Sequence, residues 1–157
     1  MRPLLVIFSI LFVNSVVAEP KRLVCDTTAA SEVAAFTEAA EDPWNKKYMS
    51  QYISKYRDNA RRCEEFSRFG FRNTYIFDTK GLSNTQFSKA EESRVSCAGY
   101  DSGVVAVELS ATPSIISFKK TKDRIFNIDR KTLKAGYNAE RNYKCILEDI
   151  DDSDNLI

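Results

Sequence analysis

The sequence predicts an α+β fold, in which an N-terminal helical segment packs on an antiparallel β-sheet. Two stretches of contrasting composition indicate it. Residues 27–66 contain no glycine and are rich in alanine and in charged residues that favour helices. Beyond Phe66, glycine, serine, asparagine and β-branched residues predominate, as in strands joined by turns. The chain has 157 residues, of which 43% are hydrophobic, so it can bury one core.

The first 18 residues are expected to form a secretory signal peptide. Arg2 precedes an apolar run over residues 4–13, and small residues follow it up to Ala18. The run is short for a membrane span, so an N-terminal membrane anchor is the less favoured alternative. We expect a secreted protein with no membrane partner after signal removal. Residues 19–147 would form a single domain, and residues 148–157, five of them acidic, a flexible tail.

Two helices are predicted in the helical segment. The first runs from Ala29 to Ala40. The second begins after Asp42, which can cap it, with Pro43 in its first turn. Aromatic and small residues recur along the second helix every three or four positions, which we interpret as a buried stripe. They are Trp44, Tyr48, Tyr52, Tyr56, Ala60 and Cys63.

Six strand-like runs follow the helices, separated by short segments with turn residues. They are Thr74–Phe77, Ser93–Ala98, Val104–Leu109, Ser114–Phe118, Arg124–Ile128 and Tyr143–Leu147. Strands this close in sequence favour antiparallel pairing. Helices first and strands afterwards are typical of an α+β domain.

The four cysteines indicate two disulfides, because an exported chain folds in an oxidising compartment. Three connectivities are possible. We favour the nested one, Cys25–Cys145 and Cys63–Cys97, since the first pair lies close to the two ends of the mature chain. No two cysteines are spaced as zinc ligands, so neither a metal site nor a cofactor is expected.

The chain contains no histidine, which restricts the chemistry it can perform. Histidine is the commonest general acid or base near neutral pH and a frequent metal ligand. Most hydrolase triads, zinc sites and two-histidine nucleases are therefore excluded. The formal net charge of +1 favours neither nucleic acid nor membrane as a partner.

Three segments in the C-terminal half of the chain, and one upstream of it, resemble the secreted fungal guanyl-specific ribonucleases. They are Gly70–Tyr75, Val107–Leu109, Asp123–Asn127 and Tyr143–Cys145. The resemblance implies a ribonuclease-like fold, with Glu108 at the position of the base and Arg124 at that of the phosphate ligand. The family's acid is a histidine, which this chain lacks. We therefore expect no enzyme and no catalytic residue, but a pseudo-ribonuclease with a vestigial or RNA-binding site.

The chain also resembles the RNase-like secreted effectors of powdery mildew fungi, with Leu23-Val24-Cys25 at the position of their first motif. This implies a virulence effector translocated into the host plant cell, with a host protein or an immune receptor as partner. Residues 119–144 hold nine basic and three acidic residues, which motivates host RNA or the ribosome as a further partner. Phe71 or Tyr75 would then stack on a base.

The sequence is also compatible in part with two other classes of secreted protein. A lipocalin-like small-ligand carrier fits the signal peptide, the cysteines and the aromatic residues, but it needs eight strands closed into a barrel. We expect the helical segment to leave too little chain for them. A cystatin-like protease inhibitor also has a helix crossed by an antiparallel sheet. However, residues 103–106 lack the glutamine and the following glycine of its central loop.

Overall fold

The computed structural model describes residues 20–66, 68–82, 88–137 and 143–150. These residues form a closed barrel of eight antiparallel strands that pair in sequence order. The strands are β1 (Pro20–Asp26), β2 (Phe71–Asp78), β3 (Ser88–Ser96), β4 (Asp101–Ala111), β5 (Ile115–Thr121), β6 (Arg124–Asp129), β7 (Lys134–Tyr137) and β8 (Tyr143–Asp149). The expected signal peptide lies outside the described residues.

The predicted α+β fold, a helical segment on an open ribonuclease-like sheet, is wrong because the sheet closes on itself. β1 pairs with β2 on one side and with β8 on the other. Leu23 thereby lies opposite both Tyr75 and Leu147. β1 and the four-residue β7 have no counterpart among the six predicted strands. Without β1 the predicted sheet has a free edge, whereas with it the first and last strands meet and every edge is paired.

The helical segment lies between β1 and β2, and it consists of α1 (Ala29–Glu41), α2 (Pro43–Tyr48), a 3₁₀ turn (Ser50–Tyr52) and α3 (Ile53–Phe66). It leaves and rejoins the barrel at one end, which we call the mouth. The turns 97–100 and 122–123 belong to this end, and we call the opposite end the base. α1 and α3 pack mainly on each other rather than across a face of the sheet.

Local signals fix where the helices begin. The Thr28 side chain accepts a hydrogen bond from the backbone N–H of Ser31, so α1 starts at Ala29 as predicted. Asp42 caps α2 in the same way through Asn45. The second predicted helix is broken after Tyr48, and its aromatic stripe is not buried as expected. Trp44 is 59% and Tyr48 57% exposed, although Cys63 of the same stripe is buried.

The barrel interior changes character along its axis. Towards the base it is filled by apolar side chains, which form the core. They include Leu23, Phe77, Leu109, Ile116, Phe118 and Ile128. Towards the mouth the inward positions carry the polar and charged side chains of Asn73, Glu92, Arg94 and Ser96, all buried. One strand, β3, contributes three of these four.

The two disulfides have the nested arrangement that the sequence analysis favours. Cys25–Cys145 joins residues directly opposite each other on β1 and β8, so it lies at the seam where the barrel closes. Cys63–Cys97 joins α3 to the turn 97–100 at the mouth. Two disulfides are consistent with a secreted protein.

No helix in the described part of the chain is both long enough and apolar enough to span a membrane. The boundary expected at residue 148 falls inside a strand, since β8 continues to Asp149. The rest of the expected tail, residues 151–157, lies outside the described ranges.

Candidate functional site

Glu108 and Arg124, the expected base and phosphate ligand, lie on opposite faces of the barrel wall. Glu108 follows the buried Val107 on β4 and therefore points outward, where its carboxylate lies 3.3 Å from Lys119 Nζ. Arg124 begins β6 two residues before the fully buried Phe126, so it points inward at the mouth. The structure does not bring the two groups together around a common substrate position.

Phe71 and Tyr75 both point into the barrel from β2, but at different depths. Phe71 lies at the mouth and is half-buried. Tyr75 is fully buried, and its ring stacks on Phe118 with centroids 3.9 Å apart. The Tyr75 ring therefore has no free face for an RNA base. Of the four residues singled out in the sequence, only Phe71 and Arg124 line the same cavity.

This cavity, which we call the mouth cavity, has a volume of about 590 Å³. It lies between the helical segment and the interior of the barrel. Basic and aromatic side chains from both parts line it, namely Lys55, Arg94, Arg124, Phe36, Phe71 and Tyr100. Its volume is in the range of sites that hold a small organic molecule, roughly 300–1,000 Å³.

A hydrogen-bonded junction fixes the wall of the mouth cavity. The backbone N–H of Thr27 donates to the carbonyl of Phe71, and the N–H of Gly70 donates to the carbonyl of Thr27, both at 2.8 Å. The Cys97 N–H donates in turn to the Gly70 carbonyl at 2.8 Å. A Cβ at position 70 would lie 2.5 Å from the carbonyl oxygen of Thr28, so this approach requires glycine. The start of α1, β2 and the turn 97–100 are thereby joined.

Arg94 is the most buried charged group of the mouth cavity, with 6% of the residue exposed. Its Nε donates to Asn73 Oδ1 at 3.1 Å, and the two residues face each other across β2 and β3. Three rings surround its guanidinium carbon, those of Tyr137 at 5.5 Å, Tyr100 at 5.8 Å and Phe71 at 5.9 Å. These distances are in the range of cation–π contacts.

Below this guanidinium, the carboxylate of Glu92 is buried in the barrel. Its Oε1 accepts hydrogen bonds from the hydroxyls of Tyr75 at 3.0 Å and Tyr137 at 3.1 Å. Its Oε2 lies 3.7 Å from Lys120 Nζ. Burial, together with this carboxylate, raises the pKa of Tyr137 to about 12. Burial also raises the pKa of Tyr75 well above its usual range.

Sequence reasoning missed Glu92, Arg94 and Tyr137. A signal for the first two exists, because Ala90, Glu92, Arg94 and Ser96 alternate along β3. The other face of that strand also carries polar residues, so the pattern alone does not tell which face points inward. Tyr137 ends β7, a strand too short to show any alternation.

Two further cavities differ from the mouth cavity in their charges. The larger, of about 700 Å³, lies beside α1 and α3 and is lined by both acidic and basic side chains, among them Glu64 and Lys144. The other, of about 350 Å³, lies on the outer face of β8, β1 and β2. Its wall includes Arg72, whose guanidinium donates to both carboxylate oxygens of Asp26 at 2.7 and 2.8 Å. Charges of opposite sign already face each other there.

Across the described ranges, no three side chains of histidine, cysteine, aspartate or glutamate cluster as metal ligands. Comparisons with models of protein families, with curated proteins and with solved structures found no match. The resemblance to fungal ribonucleases and to powdery mildew effectors therefore stays a prediction.

Proposed function

We propose that this protein is a secreted carrier that binds a small organic molecule in the mouth cavity. The observation that carries the proposal is the cavity itself, about 590 Å³ at the open end of the barrel with an aromatic and basic lining. Small-molecule sites are concave, largely apolar and furnished with a few polar groups, and the mouths of barrels are among their usual places.

The architecture supports the proposal at the level of the fold. A closed barrel of eight strands has an interior just wide enough to be filled by side chains or to hold one small ligand, as in lipocalins. Here side chains fill the half near the base, and the cavity lies at the other end. The helical segment does not leave too little chain for eight strands, because the connections from β3 to β7 have only two to four residues each.

The other expectations carry no comparable observation. A role as a virulence effector, entry into a host plant cell, recognition by an immune receptor and binding of RNA or the ribosome all derive from the resemblance. With Glu108 facing outward and Tyr75 fully buried, half of the expected RNA-binding set lies away from the mouth cavity. The carrier is therefore the function that the geometry supports best.

Fluorescence titration tests the carrier with two dyes, 8-anilinonaphthalene-1-sulfonate and its uncharged analogue N-phenyl-1-naphthylamine. We expect at least one of them to bind saturably with one molecule per chain. Ala98 lines the mouth cavity, so the larger side chain of Ala98→Trp should occupy it and weaken that binding at least about tenfold, a loss of roughly 1.4 kcal/mol.

The matched control is Ala106→Trp, which adds the same side chain at an exposed position on the outside of β4. This variant should bind the dyes as the parent does. If neither dye binds saturably, or if both tryptophan variants bind equally well, the carrier proposal is wrong.

A further inference from the structure

The described charges of the mouth cavity are all of one sign. Among the residues that the structure describes, three cationic side chains line it, Lys55 from α3, Arg94 from β3 and Arg124 from β6, and no aspartate or glutamate does. The other two cavities are lined by both signs. A cleft lined by one sign of charge with apolar walls concentrates the potential and attracts counter-ions.

None of these three cations has a carboxylate partner within 4.0 Å among the described residues. For the exposed Lys55, the lack of a carboxylate partner costs little, because water solvates its charge. For Arg94 it is costly, because a charge removed from water needs a partner of opposite sign. Among the described residues, its neighbours supply one hydrogen-bond acceptor, the amide oxygen of Asn73, and three aromatic rings, but no negative charge.

The nearest buried acid does not supply this charge. Glu92 accepts from two tyrosine hydroxyls and lies 3.7 Å from the ammonium of Lys120. One of those hydroxyls belongs to Tyr137, whose ring also lies 5.4 Å from the guanidinium carbon of Arg124 and 5.5 Å from that of Arg94. Both arginines of the cavity lining therefore contact one ring, that of Tyr137.

From this arrangement we infer that the ligand carries an anionic group, a carboxylate, sulfonate or phosphate, which Arg94 and Arg124 bind while its apolar part packs on Phe71 and Tyr100. The inference rests on the proposed carrier function and narrows it to one class of ligand. Arginine suits this role, since its planar fork donates two parallel hydrogen bonds to such groups. A cationic ligand is disfavoured by the same three charges.

The dye pair tests the inference directly, because the two molecules share their ring system and differ by one sulfonate. With the full secreted chain and both disulfides intact, we expect the sulfonate dye to bind at least about tenfold more tightly than the uncharged one. Arg94→Gln keeps a hydrogen-bonding partner for Asn73. It should lower the affinity for the sulfonate dye about 10- to 100-fold and change the affinity for the uncharged dye less than about twofold. Arg124→Gln, at the less buried position, should do the same.

Lys47→Gln is the matched control, since Lys47 also places a cation over an aromatic ring, that of Tyr48, but on the exposed helical surface. This substitution should change the affinity for neither dye. Arg94→Lys should retain part of the preference for the sulfonate. Near-ultraviolet circular dichroism shows whether each variant is folded. If Arg94→Gln does not fold, Arg124→Gln alone tests the role of the arginines in binding.

A displacement series separates the possible anions. Naphthalene-1-carboxylate and 1-naphthyl phosphate should each displace the bound sulfonate dye, and 1-naphthylmethylamine should not. The inference of an anionic ligand is wrong if the two dyes bind with equal affinity. It is also wrong if the arginine variants lose affinity equally for both dyes, or if the amine displaces the sulfonate dye. Those results leave the carrier standing if Ala98→Trp still weakens dye binding at least about tenfold, so the two proposals fail separately.

Discussion

The two halves of the barrel interior differ in the kind of side chain that they bury. Near the base, apolar side chains such as Leu109 and Ile128 are fully buried against one another. Near the mouth, Glu92 and Arg94 are also buried but are polar, and of the two only Glu92 has an ionic partner among the described residues. Burial of apolar surface stabilises a fold, whereas burial of charge opposes it unless the charge is paired. We therefore attribute stability mainly to the base and binding mainly to the mouth.

The strongest test of this division is Phe118→Ala, at a buried ring that contacts Tyr75 and Phe77 near the base. Removing the ring leaves a cavity, so the free energy of unfolding should fall by about 3–5 kcal/mol. Urea denaturation measures it. Val104→Ala, at a position 68% exposed on β4, is the control and should cost less than about 1 kcal/mol. Similar losses in the two variants would contradict a packed base.

Glu92→Ala tests the buried carboxylate near the mouth, which has two hydrogen-bond donors and an ionic partner. The substitution leaves two buried tyrosine hydroxyls without their acceptor and Lys120 without its counter-charge. We expect the free energy of unfolding to fall by about 2–3 kcal/mol. Glu91→Ala, the same substitution at the adjacent exposed position, should have almost no effect. If the two variants unfold alike, the buried network contributes nothing.

The pH dependence of stability sharpens the comparison further. Because the pKa of Tyr137 is raised to about 12 from 10.0, the folded state holds this proton more tightly than the unfolded state. The resulting stability is fully present below pH 10 and is lost as the pH rises from 10 to about 12. Tyr75 acts in the same direction. In Tyr137→Phe, stability should therefore fall less steeply over this range.

Urea unfolding at about pH 9 and about pH 11 measures this difference. Tyr52→Phe, on the helical surface, serves as the control and should fall as steeply as the parent. A steeper fall in Tyr137→Phe than in the parent would contradict the buried, carboxylate-linked hydroxyl.

The smallest expected change in stability comes from Arg124→Met at the mouth. Arg124 is half-buried and has no ion pair among the described residues, so the free energy of unfolding should change by less than about 0.5 kcal/mol. The affinity for the sulfonate dye should nevertheless fall at least about tenfold. A loss of stability comparable to that of Phe118→Ala would mean that the mouth carries the fold as well as the site.

Several features could be predicted from the sequence because their causes are local. α1 begins where Thr28 caps it, and the runs that became β2 and β4 to β6 show strand composition and turn residues. The alternation of inward and outward residues also bears on the expected active site. Val107 and Leu109 point inward, so Glu108 must point outward, whereas Arg124 shares its inward face with Phe126. The pair cannot share one face of the wall.

Closure of the barrel, by contrast, depends on pairing between residues far apart in sequence. Cys25 and Cys145 lie 120 positions apart, yet they face each other across β1 and β8. β7 has only four residues, and β1, although it has seven, pairs only with strands that are distant in sequence. The choice of inward face on β3, and with it the burial of Glu92 and Arg94, also depends on register, since both faces of that strand carry polar residues.

The sequence by itself determined the helical segment, most of the strands and an arrangement of disulfides, since caps, composition and chain positions act within a few residues or at the ends. Only the tertiary structure decided that the sheet closes, that the helices lie at its mouth, and that two arginines and three aromatic rings surround one cavity there. The reason is physical: capping and alternation are satisfied by near neighbours, whereas strand pairing and the facing of side chains across a barrel are fixed only when distant segments meet.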